Sequence, residues 1–284
     1  MRILVTGASS PIAARVVRRL LLDTSAEVWC TRHRREVDIN DSRVRVVDLD
    51  LETTGGLDSV DVPFDLVVHF AGVTHAADEK QYWKVNLEGT MRLAKLVQKN
   101  GCRRFVFIST RCATAGSGAY GESKLAAETQ LMQLDWTSLL IIRPAEVYGA
   151  DGKEGIDSLL RLARRWRIVP AFWGHSGIRF SPLHVDDFTA LVASEINRHQ
   201  RGIRVLEASG PEELSGVSVA GRIARTSFAL PIFIWWPAFV LFVKSLRGFG
   251  INLVTTDQLT RLTSQKTANT AEKRERESMA RFLK

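Results

Sequence analysis

Tyr120 stands four residues before Lys124 in the stretch Tyr120-Gly121-Glu122-Ser123-Lys124, and this pair can move a proton. Residues i and i+4 share one face of a helix, so the ammonium would lie beside the phenol. A neighbouring cation favours phenolate and draws a tyrosine pKa down from its ordinary ~10. A phenol tuned in this way gives or takes a proton near neutral pH while a hydride moves on a cofactor. The spacing is common by chance, so its meaning rests on the elements that would position it.

The chain opens with such elements. Arg2-Ile3-Leu4-Val5 reads as a strand, and Thr6-Gly7-Ala8-Ser9-Ser10-Pro11-Ile12-Ala13 follows at once. Pro11 suits the first position of a helix and Ser10 is a good N-cap. Val16, Val17, Leu20 and Leu21 then recur at helical spacing. A strand, a turn of small residues and a helix N-terminus make an anion site, because backbone N–H groups and the positive end of the helix dipole face a phosphate. The bland alternative is a simple strand–helix corner.

Further along, strand and helix signals alternate, which marks a parallel doubly wound sheet. Strands are expected at 27–31, 44–49, 66–70, 105–109 and 138–143, with helices at 82–100 and 123–134. There is no internal repeat and no low-complexity tract.

Composition narrows the class. A chain of 284 residues buries a large core, and Gly and Pro are not in excess. Met1 leads straight into the first strand, so no signal peptide is expected. The three cysteines, Cys30, Cys102 and Cys112, have neither metal nor disulfide spacing and read as reduced thiols of a cytoplasmic protein. The net charge of +8 suits anionic ligands such as nucleotides or lipid headgroups. No nucleic-acid motif accompanies it, so no nucleic-acid partner is expected. The six histidines are dispersed and no metal site is expected. No Gly-x-Ser-x-Gly elbow suggests a hydrolase.

The order of these segments resembles an extended short-chain dehydrogenase/reductase of the NAD-dependent epimerase/dehydratase kind. That family opens with Thr-Gly-x-x-Gly-x-x-Gly. Here Thr6 and Gly7 are kept, while Ser10 and Ala13 stand where the second and third Gly would be. Asp65-Leu66-Val67-Val68-His69-Phe70-Ala71-Gly72 is similar to its fourth-strand signature, and Val85-Asn86-Leu87-Glu88-Gly89-Thr90 to its Val-Asn-x-x-Gly-Thr helix. Arg143-Pro144-Ala145-Glu146-Val147-Tyr148-Gly149 is similar to its Arg-Pro-x-x-Val-Tyr-Gly turn, and His184-Val185-Asp186-Asp187 to its later His-Val-Asp-Asp.

The resemblance implies an α/β fold: a Rossmann-type doubly wound parallel sheet with a smaller C-terminal substrate domain. Residues 1–150 would bind NAD(P), with a return to that domain near 183–200. Residues 151–182 and 201–284 would form the substrate domain. The first turn (Gly7, Ser9, Ser10, Pro11, Ile12) would hold the pyrophosphate. Phe70, Ala71 and Gly72 would let the cofactor lie against the strand end. Asp48 and Leu49 would contact adenine, with Asp50 a rival for that role. Asn86 would be a buried amide beside the catalytic group, and it and Arg143, Pro144 and Val147, at the domain junction, would contact the cofactor. Tyr120 would be the acid/base. Lys124 would tune it and hold the nicotinamide ribose, and Thr110, with Ser109 as alternative, would polarise the reacting oxygen.

Three departures refine this expectation. After the second strand the chain has Thr31-Arg32-His33-Arg34-Arg35 and no acid. Guanidinium groups bind a 2′-phosphate that a carboxylate would repel, so NADP is favoured over NAD, with Arg32 first and Arg34 or Arg35 helping. The alternative is a solvated basic loop. Dehydratases of the family carry Thr-Asp-Glu where this chain has Thr110-Arg111-Cys112, which argues against dehydration. The loop 111–119 is short and built of small residues, which implies a more open cover over the nicotinamide.

Expected substrate contacts are Thr74 and Arg179. Arg161, Arg164, Arg165 and Arg167 are read as a solvated helix face that is also able to meet a diphosphate. Residues 230–243 (LPIFIWWPAFVLFV) are apolar almost throughout but too short to span a membrane. A buried helix is the default there. A dimer face or a membrane-interface helix reaching Lys244 and Arg247 are the alternatives. The expected assembly is a homodimer, cytoplasmic or peripheral to the inner membrane face. The leading function is an epimerase or 4-keto reductase acting on a nucleotide sugar. An NADPH-dependent reductase of a non-sugar carbonyl and a catalytically idle dinucleotide-binding protein are the other two readings.

Overall fold

A computed structural model of the chain describes residues 1–53, 55–150, 155–174, 179–198 and 200–248. In chain order the strands are β1 (Arg2–Thr6), β2 (Glu27–Arg32), β3 (Val44–Asp48), β4 (Leu66–His69), β5 (Arg104–Ile108), β6 (Ser138–Pro144), β7 (Val147–Tyr148), β8 (Ile168–Trp173), β9 (Arg179–Phe180), β10 (Leu183–His184), β11 (Gly202–Ala208), β12 (Leu214–Ser215) and β13 (Leu230–Trp235). The helices are α1 (Pro11–Asp23), α2 (Lys80–Tyr82), α3 (Thr90–Lys99), α4 (Ala119–Leu131), α5 (Gly155–Trp166), α6 (Val185–Asn197), α7 (Gly216–Thr226) and α8 (Trp236–Gly248). A π-helical stretch, Trp83–Gly89, joins α2 to α3.

The chain divides into two compact units, residues 1–144 with 188–206, and residues 145–187 with 207–284. In the first, seven strands lie in the order β11-β6-β5-β4-β1-β2-β3. Every pair from β3 to β6 runs parallel. The strands read as near-continuous apolar runs because helices cover both faces: β4 is buried at all four positions. Strand order reverses between β1 and β4, and ligands of open α/β sheets bind beyond the carboxyl ends of the strands at such a point.

Local chemistry sets the element ends. Ser10 caps α1 by accepting the Ala13 N–H at 3.2 Å, and Pro11 occupies the first turn. The helix expected at 123–134 starts earlier, at Ala119. Gly118 adopts φ +92 there, and its carbonyl accepts the Glu122 N–H at 2.9 Å. Tyr120 and Lys124 therefore both belong to α4.

The second unit holds three two-stranded pairings, β7 with β10, β9 with β12 and β8 with β13. Its core gathers Ile156, Leu160 and Ala163 of α5, Val169 and Ala171 of β8, and Val219, Ala220 and Ile223 of α7. Residues 230–243 are not one buried helix. Leu230–Trp235 pairs in parallel with β8, and only then does α8 begin, with Pro237 in its first turn where no N–H is needed. A run rich in β-branched and aromatic residues fits a strand when a partner is present.

Candidate active site

The carboxyl ends of β1 and β4 meet closely. Gly7 has φ +67, and a Cβ there would come within 2.8 Å of the Ala71 nitrogen. The Thr6 hydroxyl accepts the Ala71 N–H at 3.2 Å and lies 2.7 Å from Nδ1 of His69, whose Nε2 lies 2.9 Å from the Thr90 hydroxyl. Full burial drops the His69 pKa to about 3, and Lys124 pushes the same way. His69 is thus a neutral stitch between β1, β4 and α3.

On α4, Lys124 is almost fully buried. Its Nζ donates to the Ile108 carbonyl at the end of β5, 2.8 Å away, and sits 4.1 Å above the centre of the Phe107 ring. Burial lowers its pKa to about 7, against an opposing pull from Glu128. One turn before it, Tyr120 packs edge-on against the buried Tyr82, ring centres 5.9 Å apart. The Tyr82 hydroxyl accepts the Ala76 N–H at 3.0 Å, which fixes the loop after β4.

One turn beyond Lys124 comes Glu128, which sequence reasoning missed. Its carboxylate is buried and takes a two-pronged contact from Arg143, Nε to Oε1 at 3.0 Å and Nη2 to Oε2 at 2.5 Å. The Ser109 hydroxyl donates to the same carboxylate. Ser109 is therefore turned to Glu128, and Arg143 buttresses α4. Thr110 Oγ1 accepts the Cys112 N–H at 3.2 Å, leaving its own O–H to donate, so of the two hydroxyls Thr110 is the better placed to polarise a substrate oxygen. The signal for Glu128 was in the sequence: Tyr120, Lys124 and Glu128 recur every four residues and share one helix face.

Asn86 lies in the π-helical stretch, a local geometry that is rare and frequent at functional sites. Its Oδ1 accepts the Val73 N–H at 2.7 Å. Its Nδ2 donates to the Val73 carbonyl at 3.0 Å and to Ser123 at 3.2 Å. A Cβ at Gly72 would reach 2.9 Å from that Oδ1. Asn86 thus ties the Gly72–Val73 segment to α4. The loop 111–118 folds back on α4 as well: Ser117 Oγ lies 2.6 Å from the Cys112 carbonyl, and a Cβ at Gly121 would come within 2.1 Å of that Oγ.

At the β2 end, register places Arg32 beside Asp48. Its Nε donates to Asp48 at 2.7 Å and its Nη1 to Glu36 at 2.5 Å. Arg32 is held between two carboxylates that the one-dimensional reading did not bring to it. Arg34 and Arg35 are exposed. Leu49 is buried in the apolar core. Asp50 accepts the Glu52 N–H at 2.9 Å and the Thr53 hydroxyl at 2.9 Å. Thr74 is exposed, its hydroxyl 3.1 Å from His75 Nδ1. Phe70 and Pro144 are half-buried.

Of the expected site residues in the second unit, Val147 lies in β7, paired with Leu183, and Arg179 is exposed in β9, opposite Ser215 of β12. Gly149 has φ +86, and a Cβ there would come within 2.3 Å of His184 Nε2; His184 also packs edge-on to Tyr148. These residues form a tight turn in which His184 is a packing element.

A family model for NAD-dependent epimerases and dehydratases matches residues 3–203. The chain belongs to the NAD-dependent epimerase/dehydratase family. It is similar to the UDP-glucose 4-epimerase of Vibrio cholerae, 28% identical over 263 residues, which covers 82% of this chain and 79% of that protein. It is also similar to the ceramide reductase of Caulobacter vibrioides, 30% identical over 188 residues, which covers 66% of this chain and 58% of that protein. Among solved structures, MoeE5 in complex with UDP-glucuronic acid and NAD shares the fold at TM-score 0.73 and 22% identity, over 83% of this chain and 85% of that one. A UDP-galactose 4-epimerase does so at TM-score 0.68 and 18% identity, over 93% and 97%. As a family member the chain is an NAD(P)-dependent enzyme of the extended short-chain dehydrogenase/reductase type.

The family's dinucleotide fits the residues present. The positive φ at Gly7 and the small Ala71 and Gly72 leave a side-chain-free cradle in front of the α1 N-terminus. Ser10 Oγ is spent on its cap, so a Ser replaces the family Gly without turning its side chain into the cradle. No group of side chains among the described residues resembles a metal site.

The depressed Lys124 pKa gives a pH-dependent stability with a definite sign. Between about 7 and its ordinary 10.5 the unfolded chain binds a proton that the folded chain does not. Stability therefore rises with pH across that window and is lowest below it. In Lys124→Met this rise disappears. Melting curves taken across that window should show the wild type gaining on the variant as pH rises. Parallel curves would contradict the buried amine.

Proposed function

We propose that the chain catalyses hydride transfer on a nucleotide-activated sugar, as a 4-epimerase or a 4-keto reductase and not as a dehydratase. The observation that carries this is the α4 face, with Tyr120 in the first turn and Lys124 fixed on the Ile108 carbonyl at the sheet's carboxyl edge. The UDP-sugar 4-epimerases among its relatives support the substrate class.

When bound, the nicotinamide supplies a reversible acceptor of hydride. The residues of the chain do the rest. Tyr120 takes the proton of the sugar hydroxyl as the carbon–hydrogen bond beneath it is lost, and gives it back when the carbonyl is reduced. Lys124, in its protonated form, favours the phenolate and meets the ribose. Thr110 donates a hydrogen bond to the same oxygen. Asn86 holds the Gly72–Val73 segment and α4 at a fixed spacing. Gly7, Ser9, Ser10, Pro11 and Ile12 hold the pyrophosphate, and Asp48 or Asp50 meets the adenosine. Arg34 and Arg35 meet a 2′-phosphate, with Arg32 already clasped by Asp48 and Glu36. NADP thereby remains favoured over NAD.

Incubation with UDP-glucose or UDP-galactose tests the reading. An epimerase interconverts them with retained cofactor and none added, whereas a 4-keto reductase consumes NADPH on a keto-sugar. Titration should show tighter binding of NADPH than of NADH, a difference erased in Arg34→Ala/Arg35→Ala. No turnover of any UDP-, GDP- or dTDP-sugar would overturn the substrate class. The ceramide reductase likeness favours one second reading, an NADPH-dependent reductase of a lipid carbonyl. Turnover of a long-chain keto-lipid with no sugar activity would establish it.

A further inference from the structure

The second unit carries an apolar strip that its own core leaves uncovered. Val169 and Ala171 of β8 turn into the core, and Phe172 is covered by Trp236 and Phe239, with ring centres 5.5 and 4.8 Å away. Side chains alternate along the pair, so Ile168, Leu230 and Ile232 lie on the face that carries Phe172, and Trp173, Phe233 and Trp235 on the face that carries Val169 and Ala171. Leu230 is 63% exposed, Phe233 62% and Trp235 51%. Ile168 and Ile232 are also exposed, and Trp173 lies beside Trp235 with ring centres 6.4 Å apart. Trp166 and Phe228 extend the strip at its start, where the Leu230 N–H meets the Arg167 carbonyl at 2.7 Å. Six paired residues at ~3.3 Å each make an edge roughly 20 Å long, with exposed apolar side chains on either side of it. Isolated exposed apolar side chains need no explanation, but a contiguous patch of this kind marks an interaction surface.

Charge says what covers it. Residues 158–185 and 214–248 contain nine Arg and Lys and not one Asp or Glu. Arg161, Arg164, Arg165, Arg167 and Arg225 are exposed on the elements that flank the strip. The Arg165 guanidinium lies 5.4 Å from the centre of the Trp166 ring. A second copy docked two-fold on this face would set these arginines against one another. A nucleic acid would meet the cations but not the aliphatic Leu230, Ile232 and Ile168. Trp and Phe beside aliphatic side chains, flanked by arginine, match the boundary between acyl chains and anionic headgroups. Among the described residues no helix is long and apolar enough to cross a membrane.

We infer that the β13 edge docks on the surface of an anionic phospholipid bilayer, with Phe233 and Trp235 entering the interface and the arginines of α5 meeting lipid phosphates. Flotation of the full chain with vesicles of phosphatidylcholine, alone or mixed with phosphatidylglycerol, tests this. Binding should be strong on the mixed vesicles, weak on phosphatidylcholine alone and reduced by salt. Phe233→Ser/Trp235→Ser should weaken partitioning roughly ten-fold or more through lost apolar burial. Each arginine near a charged surface is worth roughly five-fold, so Arg164→Gln/Arg165→Gln should cut binding to the mixed vesicles about twenty-fold and leave phosphatidylcholine unchanged. All four side chains are exposed, and both variants should melt with the wild type.

Several results would overturn the inference: no flotation of the wild type, equal flotation on both vesicles, or variants that float like the wild type. So would a wild-type dimer that Phe233→Ser/Trp235→Ser dissociates in the absence of any lipid binding. Capture of an oligonucleotide without flotation would do the same.

Discussion

Tyr120→Phe should lower kcat by about three orders of magnitude, within the range for loss of a general acid–base group, while cofactor affinity stays within about two-fold. The expected separation follows from what the substitution spares. The phenyl ring keeps the edge-on contact with Tyr82 and its place beside Ala76 and Ala119. Lys124 keeps the Ile108 carbonyl, and Asn86 keeps Val73 and Ser123. Only the hydroxyl is lost, and with it the acceptor for the proton that must leave the substrate oxygen as hydride departs the carbon. Without that transfer the reaction would have to raise an alkoxide or a bare carbonyl in a partly closed site. Melting temperature and NAD(P)H fluorescence titration establish that the variant is folded and loaded, and single-turnover kinetics then isolate the chemical step. A variant with wild-type kcat would refute the assignment of Tyr120.

How far such a site can be read in advance depends on how local its contacts are. The β1–α1 corner was legible because its logic spans few residues: Ser10 caps, Pro11 opens the helix and Gly7 supplies the positive φ. The parallel sheet was legible for a similar reason, since buried strands announce themselves as short apolar runs between helices. Contacts set by register were not. Arg32 looked like a solvent-facing anion ligand, yet β2–β3 pairing sets it against Asp48, and Glu36 closes on it from the following turn. Leu230–Trp235 looked like the start of a buried helix, because its strand partner begins 62 positions earlier, at Ile168, and nothing local announces that pairing. Thr110 was favoured with Ser109 as its alternative, and nothing local announced that Glu128, buried on α4, accepts the Ser109 hydroxyl. The family pattern named segments that the fold places at the carboxyl ends of β1, β4 and β5 and on α4. Which atoms within them remain available for chemistry was decided by partners far away in the chain.

Glu128→Ala should be the most destabilising single change in the site. Glu128 is 1% exposed and the Arg143 side chain 21%, and the pair is bound through both guanidinium edges. Truncation leaves the arginine charge without its partner in a largely buried site and strips Ser109 of its acceptor. Removing one partner of a buried ion pair costs about 3–5 kcal/mol, because the surviving charge is desolvated without compensation. At roughly 2–4 °C per kcal/mol for a chain of this size, melting should fall by about 10 °C. Glu128→Gln keeps the shape and a neutral acceptor, so it should lose less stability but alter the titration of Lys124. The carboxylate raises the Lys124 pKa against the larger effect of burial. Removing its charge therefore moves that pKa further down, and a smaller fraction of the amine is charged at neutral pH. Since the protonated amine is the form that favours the Tyr120 phenolate, the alkaline limb of kcat/KM should shift to lower pH in Glu128→Gln, with activity recovering as pH is lowered. A purely structural carboxylate would change the melting temperature and leave that limb in place. An unchanged melting temperature in Glu128→Ala would mean that the Glu128–Arg143 pair does not form.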